Sequence, residues 1–160
     1  MASKSRARRR SGCPVSAALE LIGDRWSLLI VRDMMVRGFY TFREFQRSGE
    51  GIATNILSDR LHRLEAAGIL TTEPAERDAR STHYRLTSKG IDLAPVLLEL
   101  LIWAAHHEDT GAPGNFIEHL VKNREAVLAE TYRRWEQRDS RPVIPPFTPP
   151  VRSQKRRSVR

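Results

Sequence analysis

Between residues 51 and 86 a set of hydrogen-bonding side chains falls at helical spacing: Thr54, Asn55, Ser58, Asp59, His62 and Arg63. These types suit the reading of base edges. Asn bonds adenine and Arg bonds guanine in the major groove, and short hydroxyls reach base or phosphate. Leu57, Leu61 and Leu64 recur at i, i+4 and i+7, so a helix turning about 100° per residue stacks them on one buried stripe. Asn55, Asp59 and His62 then project from the far side, flanked by Ser58 and Arg63, with Thr54 near the amino end and Ile56 between core and surface. The spacing predicts a helix of about fourteen residues, stopped by Gly68, because glycine accepts the left-handed conformation that ends helices.

Such a helix needs neighbours to hold it. Residues 69–73 and 82–86 are rich in β-branched and aromatic types and read as a hairpin. The intervening PAERDARS is too long for a two-residue turn and carries Arg77, Arg80 and Ser81, which suits a projection into a minor groove or along phosphates. Asp78 is placed to pair with Arg80. Upstream, residues 26–36 are strongly apolar, and TFRE is a capping-box pattern of Thr41 and Glu44 that starts a short helix over 42–47 with Arg43 on its surface. SGEGI between the two helices is the glycine-containing turn of a helix-turn-helix. The fold expected is mainly α with a small β-hairpin wing: a winged helix-turn-helix with a helical dimerisation extension.

CPVSAALELIGDRWSLLIVRDM, TFREF, ILSDRLHRLEAAGIL and HYRLTSKG, taken in this order, resemble the landmarks of HxlR-type transcriptional regulators, relatives of the MarR group. The resemblance covers residues 13–103. It implies a dimeric, sequence-specific DNA-binding regulator, a repressor by preference, with Thr54, Asn55, Ser58 and Arg63 turned toward DNA. Arg43, Asp59, His62, Arg77, Arg80 and Ser81 complete the candidate contacts with double-stranded DNA.

The net charge of +8 supports a nucleic-acid partner less directly than it first suggests. Five of the 27 Lys and Arg lie in the first ten residues and five in the last ten, leaving 17 against 19 acidic residues between them. The expected organisation is a basic disordered arm (1–12), the HxlR-type domain (13–110), a C-terminal helix (115–138) and a Pro-rich basic tail (139–160). The tails would grip phosphates without sequence choice, in a salt-dependent way. A nonspecific architectural protein coating DNA through them is the competing class.

Past the hairpin, Thr87 caps a helix that runs through Val96, Leu97, Leu100, Leu101 and Trp103 and is apolar nearly all round. A second copy of the chain is the expected cover, with burial within the protomer under the carboxy-terminal helix as the alternative, and a two-fold dimer would match a palindromic operator. One final helix, starting at Asn115 and reaching about Gln137, adds Ile117 and Leu120 to the expected dimer interface (Leu97, Leu101, Trp103, Ile117, Leu120) as a brace, with a partner-binding or ligand-covering helix as the alternative. Cys13, the only cysteine, precedes Pro14 at a helix start, where the positive end of the helix and Arg8, Arg9 and Arg10 would favour its thiolate. The resemblance makes it a candidate sensor of oxidants or electrophiles, against the plainer reading of a small residue buried at the dimer seam. A regulator answering a small ligand, as in the MarR group, stays open.

Catalysis finds little support. The chain has no glycine-rich phosphate loop, nucleophile elbow or HExxH helix, so no catalytic residue, cofactor or metal is expected. His106, His107, Glu108 and Asp109 sit at adjacent positions, about 100° apart on a helix, which suits a polar helix end better than one ion. LAPVLLELLIWAA is broken by Pro95 and Glu99 and falls short of a bilayer span. A cytoplasmic, nucleoid-associated protein is the expectation.

Overall fold

Pro14 has no amide to leave unpaired, so it opens α1 (Pro14–Ile22) directly behind Cys13, whose backbone is extended. Asp24 opens α2 (Arg25–Arg32) by accepting hydrogen bonds from the amides of Trp26 (3.0 Å) and Ser27 (3.1 Å). α2 runs on as a π-helical turn, Asp33–Arg37, which Gly38 ends at φ 65°. The computed structural model in which these elements are seen describes residues 11–75 and 78–139, with the side chains of 75 and 78–81 outside the description.

The capping box forms as the sequence predicts. Thr41 Oγ1 accepts from the Glu44 amide (3.3 Å), and the Glu44 carboxylate accepts from the Thr41 amide (2.8 Å), starting α3 (Phe42–Gln46). After the glycine-containing turn comes α4 (Thr54–Ala66). Its end is a Schellman motif: Gly68 takes φ 69°, the Ile69 amide donates to Leu64 O and the Gly68 amide to Glu65 O.

β1 (Leu70–Ala75) and β2 (Asp78–Leu86) form the antiparallel hairpin, in register from Leu70↔Leu86 to Pro74↔Thr82. The long loop expected here is not a loop. Ala75 pairs with Asp78, so only 76 and 77 lie between the strands, and 79–81 fall in a register shift on β2. Pro74 explains the shift, because a residue without an amide proton cannot continue the ladder. Arg77 lies outside the described residues, as do the side chains of Arg80 and Ser81; the arm 1–12 and the tail 139–160 do so almost wholly.

Thr87 caps a helix as expected, but it is the single turn α5 (Ser88–Ile91), and the long apolar helix starts afresh as α6 (Ala94–His107), with Pro95 in its first turn. The one terminal helix expected from Asn115 is two helices, α7 (Gly114–Lys122) and α8 (Arg124–Glu136). The break falls at Asn123, whose backbone leaves the helical region at φ −117° and whose side-chain amide donates to His119 O (3.0 Å), competing with the backbone ladder.

The break lets the extension fold back on its own chain. Val31, Met35, Phe45, Leu57, Leu61, Leu64, Ile69, Leu70, Ile91 and Ala94 form the main core, with Leu128, Tyr132 and Trp135 of α8 packed against it. Leu98 and Leu120 centre a second, smaller core. Part of the expected interface is thereby covered within the protomer. Ile117 (6% exposed) and Leu120 (0%) are already buried within the protomer, and Leu97 and Leu101 are half-buried against it, so a partner has little of them left to cover. Trp103 alone of that set stays exposed, at 58%. Among the described residues no helix is long and apolar enough to cross a membrane.

Candidate nucleic-acid interface

α4 divides along its length as its spacing requires. Leu57, Leu61 and Leu64 are buried to 1% exposure or less, while Thr54, Asn55, Asp59, His62 and Arg63 are exposed and Ser58 is half-buried. Burying each leucine stabilises the fold by about 1.5–3 kcal/mol, which holds the helix to one rotation about its axis. Six polar groups therefore face outward over three turns. Arg43 is exposed on α3, the helix packed beside α4.

The helix is also held by charge. Arg60, absent from the sequence-based candidates, places its Nε 3.2 Å from Asp24 Oδ1 and its Nη1 3.4 Å from Asp59 Oδ2. The Arg60 Nε–H does not align on either oxygen, so the contact with Asp24 is an ion pair rather than a hydrogen bond. Asp24 thus caps α2 and grips α4 with one carboxylate. Burial pushes its pKa up, but hydrogen bonds from the Ser27 hydroxyl and amide, the charge of Arg60 and the Trp26 amide outweigh burial and hold it below the usual value. No short-range pattern reveals this pair, since 36 residues separate its members; the only signal was an arginine set among the buried leucines.

Asp59 is paired within its own helix. Its Oδ2 lies 3.0 Å from Arg63 Nε, so it orients that guanidinium across one turn of α4. A second tie runs to the hairpin, where Thr72 Oγ1 donates to Glu65 Oε1 (2.9 Å). Helix and wing strands are thereby fixed to one another.

Behind the interface lies a charged network. Asp33, 3% exposed, accepts from Arg32 Nε (3.0 Å) and Nη2 (2.6 Å), and Arg37 lies 3.3 Å away. Arg32 Nη1 also donates to Glu50 Oε1 (2.9 Å), and Arg37 Nη1 to Ser48 O (2.6 Å), so the turn between α3 and α4 is tied to α2. Burial pushes the Asp33 carboxyl above its usual range despite both arginines.

Cys13 is exposed on the protomer, at the head of α1. Among the described residues no group of three or more His, Cys, Asp or Glu gathers where a metal ion would be held.

A helix-turn-helix whose second helix shows a polar face, followed by a two-stranded hairpin, defines the class: a winged helix-turn-helix protein. The model of the HxlR-like helix-turn-helix family matches residues 21–111, more than half of the chain, and the chain belongs to that family. The HTH-type transcriptional regulator Mb3122 of Mycobacterium bovis is 36% identical over 105 residues, covering 64% of this chain and 64% of that protein, so the chain spans under two thirds of this relative's length. The crystal structure of the transcription factor PA1607 superposes with a TM-score of 0.58 at 42% identity, covering 62% of this chain and 68% of that one. The redox regulator HypR in its oxidized form gives 0.53 at 32% identity, over 61% of this chain and 99% of that one.

Proposed function

We propose that this chain is a transcriptional regulator that binds a specific DNA site as a homodimer and represses from it, a binding protein rather than an enzyme. The observation that carries the reading is the division of α4: a leucine stripe sunk in the protomer, and Asn55, Ser58 and Arg63 left on the open edge. In the major groove Asn55 would bond adenine and Arg63, steadied by Asp59, would bond guanine or phosphate. Thr54, His62 and Arg43 would meet the flanking backbone, with Arg77, Arg80 and Ser81 of the wing on adjacent phosphates. Relatives named as HTH-type transcriptional regulators support the reading.

Dimerisation is supported by apolar side chains that the protomer does not cover: Val15 and Leu19 on α1, and Val96, Leu100 and Trp103 on α6. An oxidant or electrophile response through Cys13 is supported by its exposure at a helix start and by the likeness to a redox regulator. Diamide should weaken operator binding by the native chain and leave the Cys13→Ser variant unaffected; equal responses would remove that role.

The test of the main reading is selection of bound fragments from genomic DNA, followed by affinity measurements on the site recovered. Asn55→Ala should cost about 1–3 kcal/mol on that site and flatten preference at one position per half-site. Undiminished discrimination at every position would contradict it. A chain without residues 1–12 and 140–160 should keep its preference, whereas a protein that merely coats DNA would lose nearly all affinity.

A further inference from the structure

A half-open cavity of about 340 Å³ lies among the described residues between the base of the wing and α8. Its apolar side is made of Met34 and Met35 of the π turn and Ile91 of α5, all buried. Tyr40, Tyr84 and Trp135 add aromatic surface. Trp135 already gives its indole N–H to Leu86 O (2.9 Å), so what remains for a guest is ring surface. Part of the lining, from Trp135 to Asp139, lies outside the segment that the family model matches.

The charged part of the lining is nearly balanced and largely satisfied within the chain. Glu73 accepts from Arg85 Nε (2.6 Å) and from Arg138 Nη1 and Nη2 (3.3 and 3.2 Å), and Glu136 and Asp139 also line the cavity. An anionic guest would face three carboxylates, and a cationic one two guanidiniums. An uncharged guest displaces no ion pair and gains the methionine and aromatic surface, at a volume near the lower end of small-molecule sites, about 300–1,000 Å³.

We propose that this cavity binds an uncharged, planar aromatic molecule of one or two fused rings, clasped between the wing strands and the C-terminal extension. Calorimetric titration of the full chain with 2-naphthol should show one site per chain. Titration with 2-naphthoate or 2-naphthylmethylammonium should give affinities at least about tenfold weaker. Thr71 is an exposed lining residue on β1, and Thr71→Phe, which narrows the cavity mouth, should weaken 2-naphthol by about tenfold while leaving the urea midpoint unchanged. Independently of any variant, the methyl resonances of Met34 and Met35 should move on addition of 2-naphthol. Absence of saturable binding, charged analogues binding as well, or methionine signals that stay still would each overturn the site.

β1 and β2 are both cavity wall and wing, so an occupant should alter DNA binding. This second step rests on the DNA-binding reading and is measured separately, as operator affinity with and without saturating 2-naphthol. A change of about threefold or more is expected. An unchanged affinity removes the coupling, while calorimetry still decides the site.

Discussion

Replacing Asp24 with Ala probes whether one carboxylate really joins the start of α2 to α4. Two losses add. The α2 cap, made to the amides of Trp26 and Ser27, accounts for about 0.5–2 kcal/mol. Arg60, with its side chain 19% exposed, loses the nearer of two opposing charges, and leaving a mostly buried guanidinium with less compensating charge costs about 1–3 kcal/mol. Asp59 remains 3.4 Å from Arg60, which favours the lower half of that range and a total of about 2–3 kcal/mol. In urea, where m is about 1–3 kcal/mol/M, the midpoint should fall by about 1 M with m unchanged. Asp24→Ala and Arg60→Ala should be strongly non-additive, with a coupling of at least about 1 kcal/mol in the double-mutant cycle. Acid supplies a second reading. The folded carboxyl titrates below its unfolded value of 3.8, so its contribution is complete above that value and is lost as pH falls through the lower folded one. Native stability should therefore drop more steeply than that of Asp24→Ala below pH 3.8. A cycle that closes to within about 0.5 kcal/mol, or identical acid limbs, would refute the reasoning.

Leu61→Ala should cost about 3–5 kcal/mol of unfolding free energy, because a side chain at 1% exposure leaves a cavity that the packed helices cannot close; a loss under about 1 kcal/mol in urea would contradict its place in the core. Trp103→Glu, at a position 58% exposed, should leave the protomer folded and shift sedimentation from dimer to monomer; an unchanged dimer would remove α6 from the interface. Glu130 is held at a pKa of about 2 by hydrogen bonds from Arg133 and Arg134, so its carbon-13 titration should have its midpoint there, whereas one at the ordinary 4.5 would mean that the pairs do not persist in solution.

Much of the site was legible before any coordinates. The leucine stripe, the Thr41–Glu44 box, the stop at Gly68 and the pairing of two strands each depend on residues near one another in sequence. Composition alone makes the hairpin loop too long, because strand-forming composition ends at Thr82, whereas pairing resumes beyond the shift at Pro74. Spacing alone gives one terminal helix, because Asn123 is a tolerable helix residue by type and its effect lies in the hydrogen bond that it makes to His119.

By itself the sequence determined where α3 begins and where α4 ends, which side of α4 is apolar, and so which polar groups α4 can show outward. The reason is that helical and strand periods and end caps are properties of a few consecutive residues. Only the tertiary structure decided what each apolar side meets: that Leu120 closes on Leu98 of its own chain, that Asp24 reaches Arg60, and that α8 lines a half-open cavity beside the wing. Those choices depend on the angle at a single break such as Asn123 and on the closure of loops tens of residues long. Apolar faces attract without direction, and the geometry of the whole chain selects among their possible partners.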